Sequence, residues 1–297
     1  MNIAAIDIGS NASRLLIKST EGGLKESYDA TVRPGFDYLT RVPMQLGMDV
    51  YANGNISKER TEDLARAMKQ FRLIMAACKV KQWRACATAS LRDAGNRQEV
   101  VDRVEAVSGI HVEIISGEEE ARLVRDSYFA QVQSRPHQVL FTDVGGGSTD
   151  VCLTVDGKVI FTRSFPVGSM RIVCGSLESD ALPMLSQQLR RLSDAHGQLH
   201  VVGSGGSIRK ICELCPNTEH PRHVTFETLD RLYHELEPLT VDEKMARYHL
   251  SRDRAEIIAE AAQIYHTIAS ATGAPFIEAA PIGVRDGIIV NLLKTSD

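Results

Sequence analysis

Short apolar runs and longer segments with helical periodicity alternate along the chain. In the first 34 residues, three short runs rich in apolar and β-branched residues predict a meander of strands, at residues 3–8, 14–19 and 24–32. The next stretch, residues 33–55, is interrupted by glycines and prolines and predicts a loop. A helix is predicted to begin after Ser57, because apolar residues then recur at steps of three and four.

The same alternation continues towards the C-terminus. Further strands are predicted where short apolar runs recur, at residues 83–87, 111–115, 139–141, 158–165, 200–202 and 276–279. Further helices are predicted at residues 96–108, from residue 116 onward, at 182–196, 226–236 and 254–271, and in a last segment that reaches Leu293. Strands that alternate with helices in this way indicate an α/β fold.

One strand–turn–strand unit occurs twice in this pattern. The first copy contains Asp-Ile-Gly-Ser-Asn at residues 7–11, and the second contains Asp-Val-Gly-Gly-Gly-Ser-Thr at residues 143–149. In each copy an apolar strand ends in an aspartate, and a glycine turn leads into a second strand. The two aspartates, Asp7 and Asp143, are 136 residues apart (143 − 7). A duplicated unit of this kind predicts two similar domains that each contribute one loop to a shared ligand.

The residue types in these turns suit a phosphate. Glycines let the backbone approach a ligand and direct several N–H groups at an anion. A carboxylate beside such a loop suits a hydrated Mg²⁺ that shares the phosphate charge. A single glycine turn is explained equally well by an ordinary hairpin, so the repetition is what favours a phosphate loop. A third glycine turn, residues 203–207, leads into a helix with two basic residues and also suits an anion.

Composition and charge narrow the class of protein. The 297 residues suffice for two domains, and a net charge of −4 gives no general attraction to nucleic acid or to anionic membranes. No apolar run approaches the roughly 18 residues of a membrane span, and the chain begins without the pattern of a signal peptide. A cytoplasmic protein is therefore expected.

The six cysteines do not have the pattern of a disulfide scaffold. Cys212 and Cys215 are followed by His220 and His223, which invites a zinc interpretation. The spacing is shorter than that of the usual zinc finger, so buried thiols at the end of a helix are the simpler alternative.

Two further motifs make a resemblance specific. They are Ala-Thr-Ala-Ser-Leu-Arg-Asp-Ala-Gly-Asn at residues 87–96 and Glu-Ile-Ile-Ser-Gly-Glu-Glu-Glu-Ala-Arg-Leu at residues 113–123. With the paired loops, they resemble the exopolyphosphatase / guanosine-pentaphosphate phosphohydrolase family of the actin-like ATPase superfamily, in its short two-domain form. Sugar kinases, actin and heat-shock chaperones share the loops but lack these motifs. The resemblance runs from Asn2 to about Leu293, with Asp286 where the closing Arg-Glu-Gly motif of the family has glutamate.

The resemblance implies a fold and a domain division. The fold is α/β, with two related ribonuclease-H-like (actin-like ATPase) domains and an interdomain cleft. The expected domains are residues 1–132 and residues 133–297, with the last helix free to pack back on the first domain.

The resemblance also implies roles for individual residues. Glu120 is expected to be the catalytic base that takes a proton from the attacking water, and Arg92 is expected to offset charge on the transferred group. The two glutamates before Glu120, Glu118 and Glu119, are explained by the helix dipole alone, since acidic residues are favourable in a first helical turn. The expected metal ligands for Mg²⁺, or another divalent cation, are Asp143 and, in support, Asp7. The expected phosphate-binding residues are Gly9, Ser10, Asn11, Gly145, Gly146, Gly147, Ser148, Arg171, Gly205, Gly206 and Ser207.

The expected reaction is attack of water on the terminal phosphorus of inorganic polyphosphate, which releases orthophosphate. Guanosine pentaphosphate is the alternative substrate, since it presents the same terminal phosphoanhydride. A kinase of the same fold and a nucleotide-responsive binding protein are the hypotheses from other classes. Polyphosphate or a phosphorylated guanosine nucleotide is thus the expected partner, with neither nucleic acid nor membrane. The oligomeric state stays open, with a homodimer as one alternative.

Overall fold

A computed structural model describes residues 1–20, 37–131 and 136–294. The strand predicted at residues 24–32 lies outside the described residues. The chain divides into two compact units, which are Met1–Gln133 together with Ile282–Asp297, and Ser134–Pro281. Each unit is built on its own β-sheet, as an α/β fold of two domains requires.

The first unit has a five-stranded sheet in the order β3-β2-β1-β4-β5. Its strands are β1 (Asn2–Ile8), β2 (Ala12–Ser19), β3 (Tyr38–Pro43), β4 (Val80–Ala87) and β5 (Glu113–Ile114). Its helices are α1 (Leu46–Asn53), α2 (Lys58–Ala77), α3 (Ala89–Asp93), α4 (Arg97–Ser108), α5 (Gly117–Gln131) and α13 (Val284–Lys294). β1 runs antiparallel to β2 and parallel to β4. The first aspartate turn thus joins the central strand, β1, to its neighbour β2.

The second unit has a six-stranded sheet in the order β10-β11-β9-β6-β7-β8. Its strands are β6 (Gln138–Val144), β7 (Thr149–Val155), β8 (Lys158–Phe165), β9 (His200–Ser204), β10 (His223–Thr225) and β11 (Phe276–Ala279). Its helices are α6 (Ser169–Val173), α7 (Ala181–His196), α8 (Gly205–Leu214), α9 (Phe226–Leu236), α10 (Val241–Tyr248), α11 (Arg252–Ala255) and α12 (Ile258–Thr272). β6 is antiparallel to β7 and parallel to β9, which reproduces the β1, β2 and β4 arrangement.

Two predictions of local structure were wrong. Residues 33–55 are not one loop, because they contain β3 and α1. Two of the breakers stand at the ends of these elements, since Pro43 ends β3 and Gly54, at φ +78°, caps α1, whereas Gly47 lies in the first turn of α1. The single helix predicted at 254–271 is interrupted, since α11 ends at Ala255 and α12 begins at Ile258. The predicted N-cap of α2 is confirmed, because the Ser57 side chain accepts a hydrogen bond from the Arg60 N–H at 3.3 Å.

Helix α13 packs against α5 within the first unit, at a point where there is no room for a side chain. A Cβ atom on Gly287 would lie 2.1 Å from the carbonyl oxygen of Leu123 on α5. We therefore expect Gly287→Ala to lower the free energy of unfolding by about 1–3 kcal/mol, because the two helices would have to separate. Gly283→Ala is the matched control, since its Cβ would meet nothing closer than Arg285 Nη1 at 3.6 Å. Urea unfolding of both variants checks the difference, and equal stabilities would contradict it.

Candidate active site

The first aspartate turn contains an ion pair. Asp7 is buried near the end of β1 and lies directly opposite Arg14 on β2. Arg14 Nη1 donates a hydrogen bond to Asp7 Oδ2 at 3.1 Å. The carboxylate predicted to support a metal ion is therefore held by a guanidinium from its own hairpin.

The predicted loop Gly9–Asn11 is held by the segment that follows β3. Within the turn, the Gly9 N–H donates to the Ala12 carbonyl at 3.2 Å. The carbonyl of Ser10 accepts from the N–H of Gly47 at 3.0 Å, and that of Asn11 accepts from Met44 and Gln45, both at 3.0 Å. The start of α1 thus fixes the orientation of the first loop.

The three glutamates at the start of α5 have different surroundings. Glu118 is exposed, and Glu119 is held by Arg84 Nη2 at 2.8 Å and by Arg122 Nη2 at 3.4 Å. Glu120 is only 8% exposed. Of the three glutamates, Glu120 is therefore the buried one, and its role as the catalytic base stays a prediction from the motif.

Arg92 lies beside Glu120. Its Nη1 donates to the Ile115 carbonyl at 2.8 Å and lies 3.6 Å from Glu120 Oε2. The guanidinium is positioned by α3, which follows directly after β4. Between β4 and α3, the Thr88 N–H donates a 3.1 Å hydrogen bond to the Ile8 carbonyl at the end of β1. Two residues predicted from separate motifs are thereby brought together at the carboxyl end of the first sheet.

The second glycine loop is braced by α6. The turn closes through the Gly145 N–H and the Ser148 carbonyl at 2.9 Å. The carbonyl of Gly146 accepts from the N–H groups of Met170 and Arg171 at 2.9 and 3.2 Å. Arg171 Nε donates to the Gly147 carbonyl at 2.7 Å. The structure thus gives Arg171, a predicted phosphate ligand, a contact that fixes the shape of the loop.

Two carboxylates face one another in the second hairpin. Asp143 on β6 is paired directly with Asp150 on β7, and Asp150 is only 3% exposed. The Cβ atoms of residues directly opposite each other in a strand pair lie about 4.5–5.5 Å apart, and like charges there are destabilising. The two side chains supply oxygen ligands of the type that Mg²⁺ requires.

Sequence reasoning had missed Arg14 and Asp150. Both stand seven residues after the aspartate that begins their turn, so the offset of 136 residues that relates Asp7 to Asp143 also relates Arg14 to Asp150. The repeat therefore extends from the aspartate turn into the second strand of each hairpin. The two related turns therefore differ in charge, with an aspartate–arginine pair in one and an aspartate pair in the other.

The third glycine turn approaches Asp143. β9 runs parallel to β6, with Ser204 opposite Asp143. Gly205 follows at φ +89°, and a Cβ atom there would be 3.0 Å from Asp143 Oδ1. The predicted phosphate ligands Gly205, Gly206 and Ser207 form the first turn of α8, whose N-terminus favours an anion. The Asp143 carboxylate can thus lie close to the start of α8 because Gly205 has no side chain.

A buried tyrosine on α12 is hydrogen-bonded to the residue that precedes this turn. The hydroxyl of Tyr265 on α12 donates to the Ser204 carbonyl at 3.2 Å. Burial, with the nearby Asp143 charge, raises the pKa of Tyr265 well above its usual value, so the phenol stays protonated as a donor. Tyr265 also limits the space at Gly203, where a Cβ would be 3.2 Å from its ring.

Cys212, on α8, and Cys215, directly after it, contact backbone carbonyls. Cys212 Sγ and Cys215 Sγ contact the carbonyls of Arg222 and Thr228, both at 3.6 Å. Burial raises the pKa of the Cys212 thiol to about 12 and that of Cys215 to about 11. Within residues 1–20, 37–131 and 136–294, no three or more histidine, cysteine or acidic side chains are grouped to hold a metal ion. The same part of the chain has no helix long and apolar enough to cross a membrane.

Comparison with known proteins gives a consistent result. Residues 39–296 match the Ppx/GppA phosphatase family. The chain is 24% identical to exopolyphosphatase 1 of Mycobacterium tuberculosis over 316 residues, which cover 99% of this chain and 89% of the relative. Exopolyphosphatase 1 of Mycobacterium leprae is 23% identical, with 99% and 90% covered.

Solved structures share the fold. An exopolyphosphatase from Cytophaga hutchinsonii superposes with a TM-score of 0.82 at 20% identity, covering 99% of this chain and 98% of that one. The Aquifex aeolicus member of the Ppx/GppA family superposes with a TM-score of 0.77 at 22% identity, covering 100% and 99%. The two-sheet α/β architecture is thus that of the two-domain actin-like ATPase fold, as predicted. The chain therefore belongs to the Ppx/GppA phosphatase family, and is a phosphoanhydride hydrolase of that family.

Proposed function

We propose that the protein releases orthophosphate from the end of inorganic polyphosphate by attack of water. The observation that carries this proposal is the pair formed by Glu120 and Arg92, in which one glutamate of three is buried beside a guanidinium. The exopolyphosphatases among its relatives support the same substrate.

The proposed chemistry assigns proton transfer to Glu120. Phosphoryl transfer requires mainly positioning and charge neutralisation from the protein, since the transferred group carries charge on its oxygens. Glu120 accepts a proton from the attacking water and aligns it, and Arg92 offsets negative charge on the transferred phosphoryl group. Arg92 keeps its own position through its hydrogen bond to the Ile115 carbonyl.

The glycine loops bind the phosphates in this proposal. In the first unit the N–H groups of Ser10 and Asn11 provide donors, because the Gly9 N–H closes its own turn. In the second unit the N–H groups of Gly146, Gly147 and Ser148 provide donors, and the start of α8 adds others. Arg171 acts by holding the carbonyl of Gly147, so that the loop keeps its shape.

The divalent cation is assigned first to Asp143 and Asp150. These residues fit Mg²⁺ because they place two carboxylates opposite one another. The carboxylate of Asp7 lies in an ion pair with Arg14. In this proposal Asp7 therefore has a less direct part in binding the cation than its motif predicts. When bound, the metal ion neutralises charge on the phosphate oxygens during transfer.

Removal of the metal ion should abolish activity. With Mg²⁺ present, we expect orthophosphate release from polyphosphate, and chelation by EDTA should lower the rate at least about 100-fold until Mg²⁺ is restored, because charge neutralisation is lost. Released orthophosphate is measured separately with polyphosphate, guanosine pentaphosphate and ATP as substrates. Release from guanosine pentaphosphate alone would favour the alternative substrate. A folded protein that releases orthophosphate from none of the three would overturn the proposal.

A further inference from the structure

One phenol group lies where the two central strands of the second unit end. Tyr265, on α12, is completely buried, and its hydroxyl donates to the Ser204 carbonyl at 3.2 Å. The backbone N–H of Val144 interacts with the same phenol oxygen, and the charge of Asp143 contributes to the raised pKa of the phenol. The hydroxyl therefore contacts the last residue of β9 and lies close to the aspartate turn at the end of β6.

These two strands separate sooner than the corresponding strands of the first unit. The pairing of β6 with β9 ends with Asp143 opposite Ser204. In the first unit, the pairing of β1 with β4 continues one residue past its aspartate, to Ile8 opposite Ala87. The start of α8 is therefore held to β6 by a shorter ladder, and the Tyr265 hydroxyl supplies a hydrogen bond at this point.

The start of α8 is not capped by its own side chain. Ser204 is the N-cap residue, and its side chain makes no capping hydrogen bond. The first N–H groups of the helix thus lack the side-chain acceptor that usually satisfies them, and a phosphate can take its place. A Cβ atom on Gly205 would lie 3.0 Å from Asp143 Oδ1, so the helix start and this carboxylate are adjacent. The position of the peptide between Ser204 and Gly205 therefore decides whether one phosphate group can reach both the helix start and a cation at Asp143.

The Tyr265 ring is held in one place by its neighbours. A Cβ atom on Gly203 would lie 3.2 Å from Cε1 of the ring and 2.9 Å from Cγ1 of Ile208, so β9, α8 and α12 pack closely here. The ring is also part of the hydrophobic core of the second unit. Because close-packed side chains keep one orientation, the hydroxyl fixes the position of the carbonyl that it contacts.

We propose that Tyr265 is a positioning residue for the cation and phosphate site of the second unit. By holding the Ser204 carbonyl, its hydroxyl keeps Gly205 and the first N–H groups of α8 beside the Asp143 carboxylate. Tyr265 touches neither substrate nor cation and acts only through this backbone contact. The inference rests on the proposed function, because it takes Asp143 as a ligand of the cation.

Tyr265→Phe removes the hydroxyl and keeps the ring. Binding of Mn²⁺ to the full chain without substrate, measured by electron paramagnetic resonance of the free ion, should weaken about three- to tenfold, as expected for the loss of one neutral hydrogen bond. Orthophosphate release from polyphosphate should require a correspondingly higher Mg²⁺ concentration, and that concentration should restore the rate. Tyr248→Phe is the matched control, because its hydroxyl contacts Glu235 on α9 at 3.0 Å and not the aspartate turn. It should change neither measurement.

Gly205→Ala tests whether the hydroxyl acts through the start of α8. The added Cβ atom is strained at φ +89° and meets Asp143 Oδ1, so this change alone should weaken Mn²⁺ binding. Tyr265→Phe should then weaken binding by less than about twofold further in the double variant, because the arrangement that the hydroxyl preserves is already lost.

Several outcomes would overturn the positioning role. They are a Tyr265→Phe protein that is less stable in urea but binds Mn²⁺ with unchanged affinity, and fully additive losses in the double variant. If Tyr265→Phe does not fold, normal Mn²⁺ binding by Gly205→Ala would overturn the role by itself. These results leave the proposed function standing, whereas Mn²⁺ binding that survives Asp143→Asn would contradict the cation assignment on which both proposals rest.

Discussion

Glu120→Gln is expected to lower the rate of orthophosphate release at saturating polyphosphate by about 10²–10⁴-fold, the range typical of a lost general base. The amide keeps the size of the side chain but cannot take the proton of the attacking water. Because Glu120 is buried beside Arg92, the change also removes a charge that the guanidinium faces at 3.6 Å. Initial rates over a range of polyphosphate concentrations measure kcat and KM separately, and the loss should appear mainly in kcat.

Two neighbouring glutamates provide the controls for this measurement. Glu118→Gln changes an exposed side chain, and Glu119→Gln removes the carboxylate that Arg84 and Arg122 hold. Both variants should keep a rate within about threefold of the original, although the second should be slightly less stable. Near-normal release by folded Glu120→Gln, or an equal loss in all three variants, would show that Glu120 is not the base.

Strong local signals made most of the fold predictable. Helix α2 has a serine N-cap and a regular apolar face, and β6 is a short apolar run before a glycine turn. The prediction of a loop at residues 33–55 was wrong because glycine and proline also stand at the ends of elements, as Pro43 does at the end of β3 and Gly54 at the end of α1. α1 is also short, so its helical period is hard to detect among turn residues.

The residues of the candidate site could be predicted where a sequence motif names a single residue. Arg92 and Glu120 come from separate motifs, and their contact follows from the parallel pairing of β1, β4 and β5. The contact of Arg171 with the loop carbonyl of Gly147 depends on where α6 begins, and a helix of five residues leaves little pattern in the sequence. Cross-strand partners such as Asp150 were missed because predicting them requires the register of the two strands. An alignment of the two repeats along both strands of the hairpin would have supplied that register.

The second large effect is expected from Asp150→Asn, which should change activity and stability in opposite directions. Without a metal ion, Asp150 and Asp143 are like charges that face each other across a strand pair. Removing one charge should therefore raise the free energy of unfolding in EDTA by up to about 1 kcal/mol. With Mg²⁺, the variant should release orthophosphate at least about 100-fold more slowly, because one metal ligand has lost its charge. Urea unfolding with and without Mg²⁺, together with the rate assay, measures both effects.

The corresponding position of the first turn gives the contrast that makes this result specific. Asp7→Asn removes a carboxylate that Arg14 contacts at 3.1 Å, so it should lower the free energy of unfolding by about 1–3 kcal/mol in EDTA. Mg²⁺ should still stabilise the Asp7→Asn protein, since Asp143 and Asp150 both remain, whereas it should no longer stabilise Asp150→Asn. A loss of stability in both variants without metal would contradict the repulsion between Asp143 and Asp150. Mg²⁺ stabilisation that survives Asp150→Asn and not Asp7→Asn would place the cation at the first turn. The opposite signs follow from one difference between related turns, an arginine in the first where the second has an aspartate.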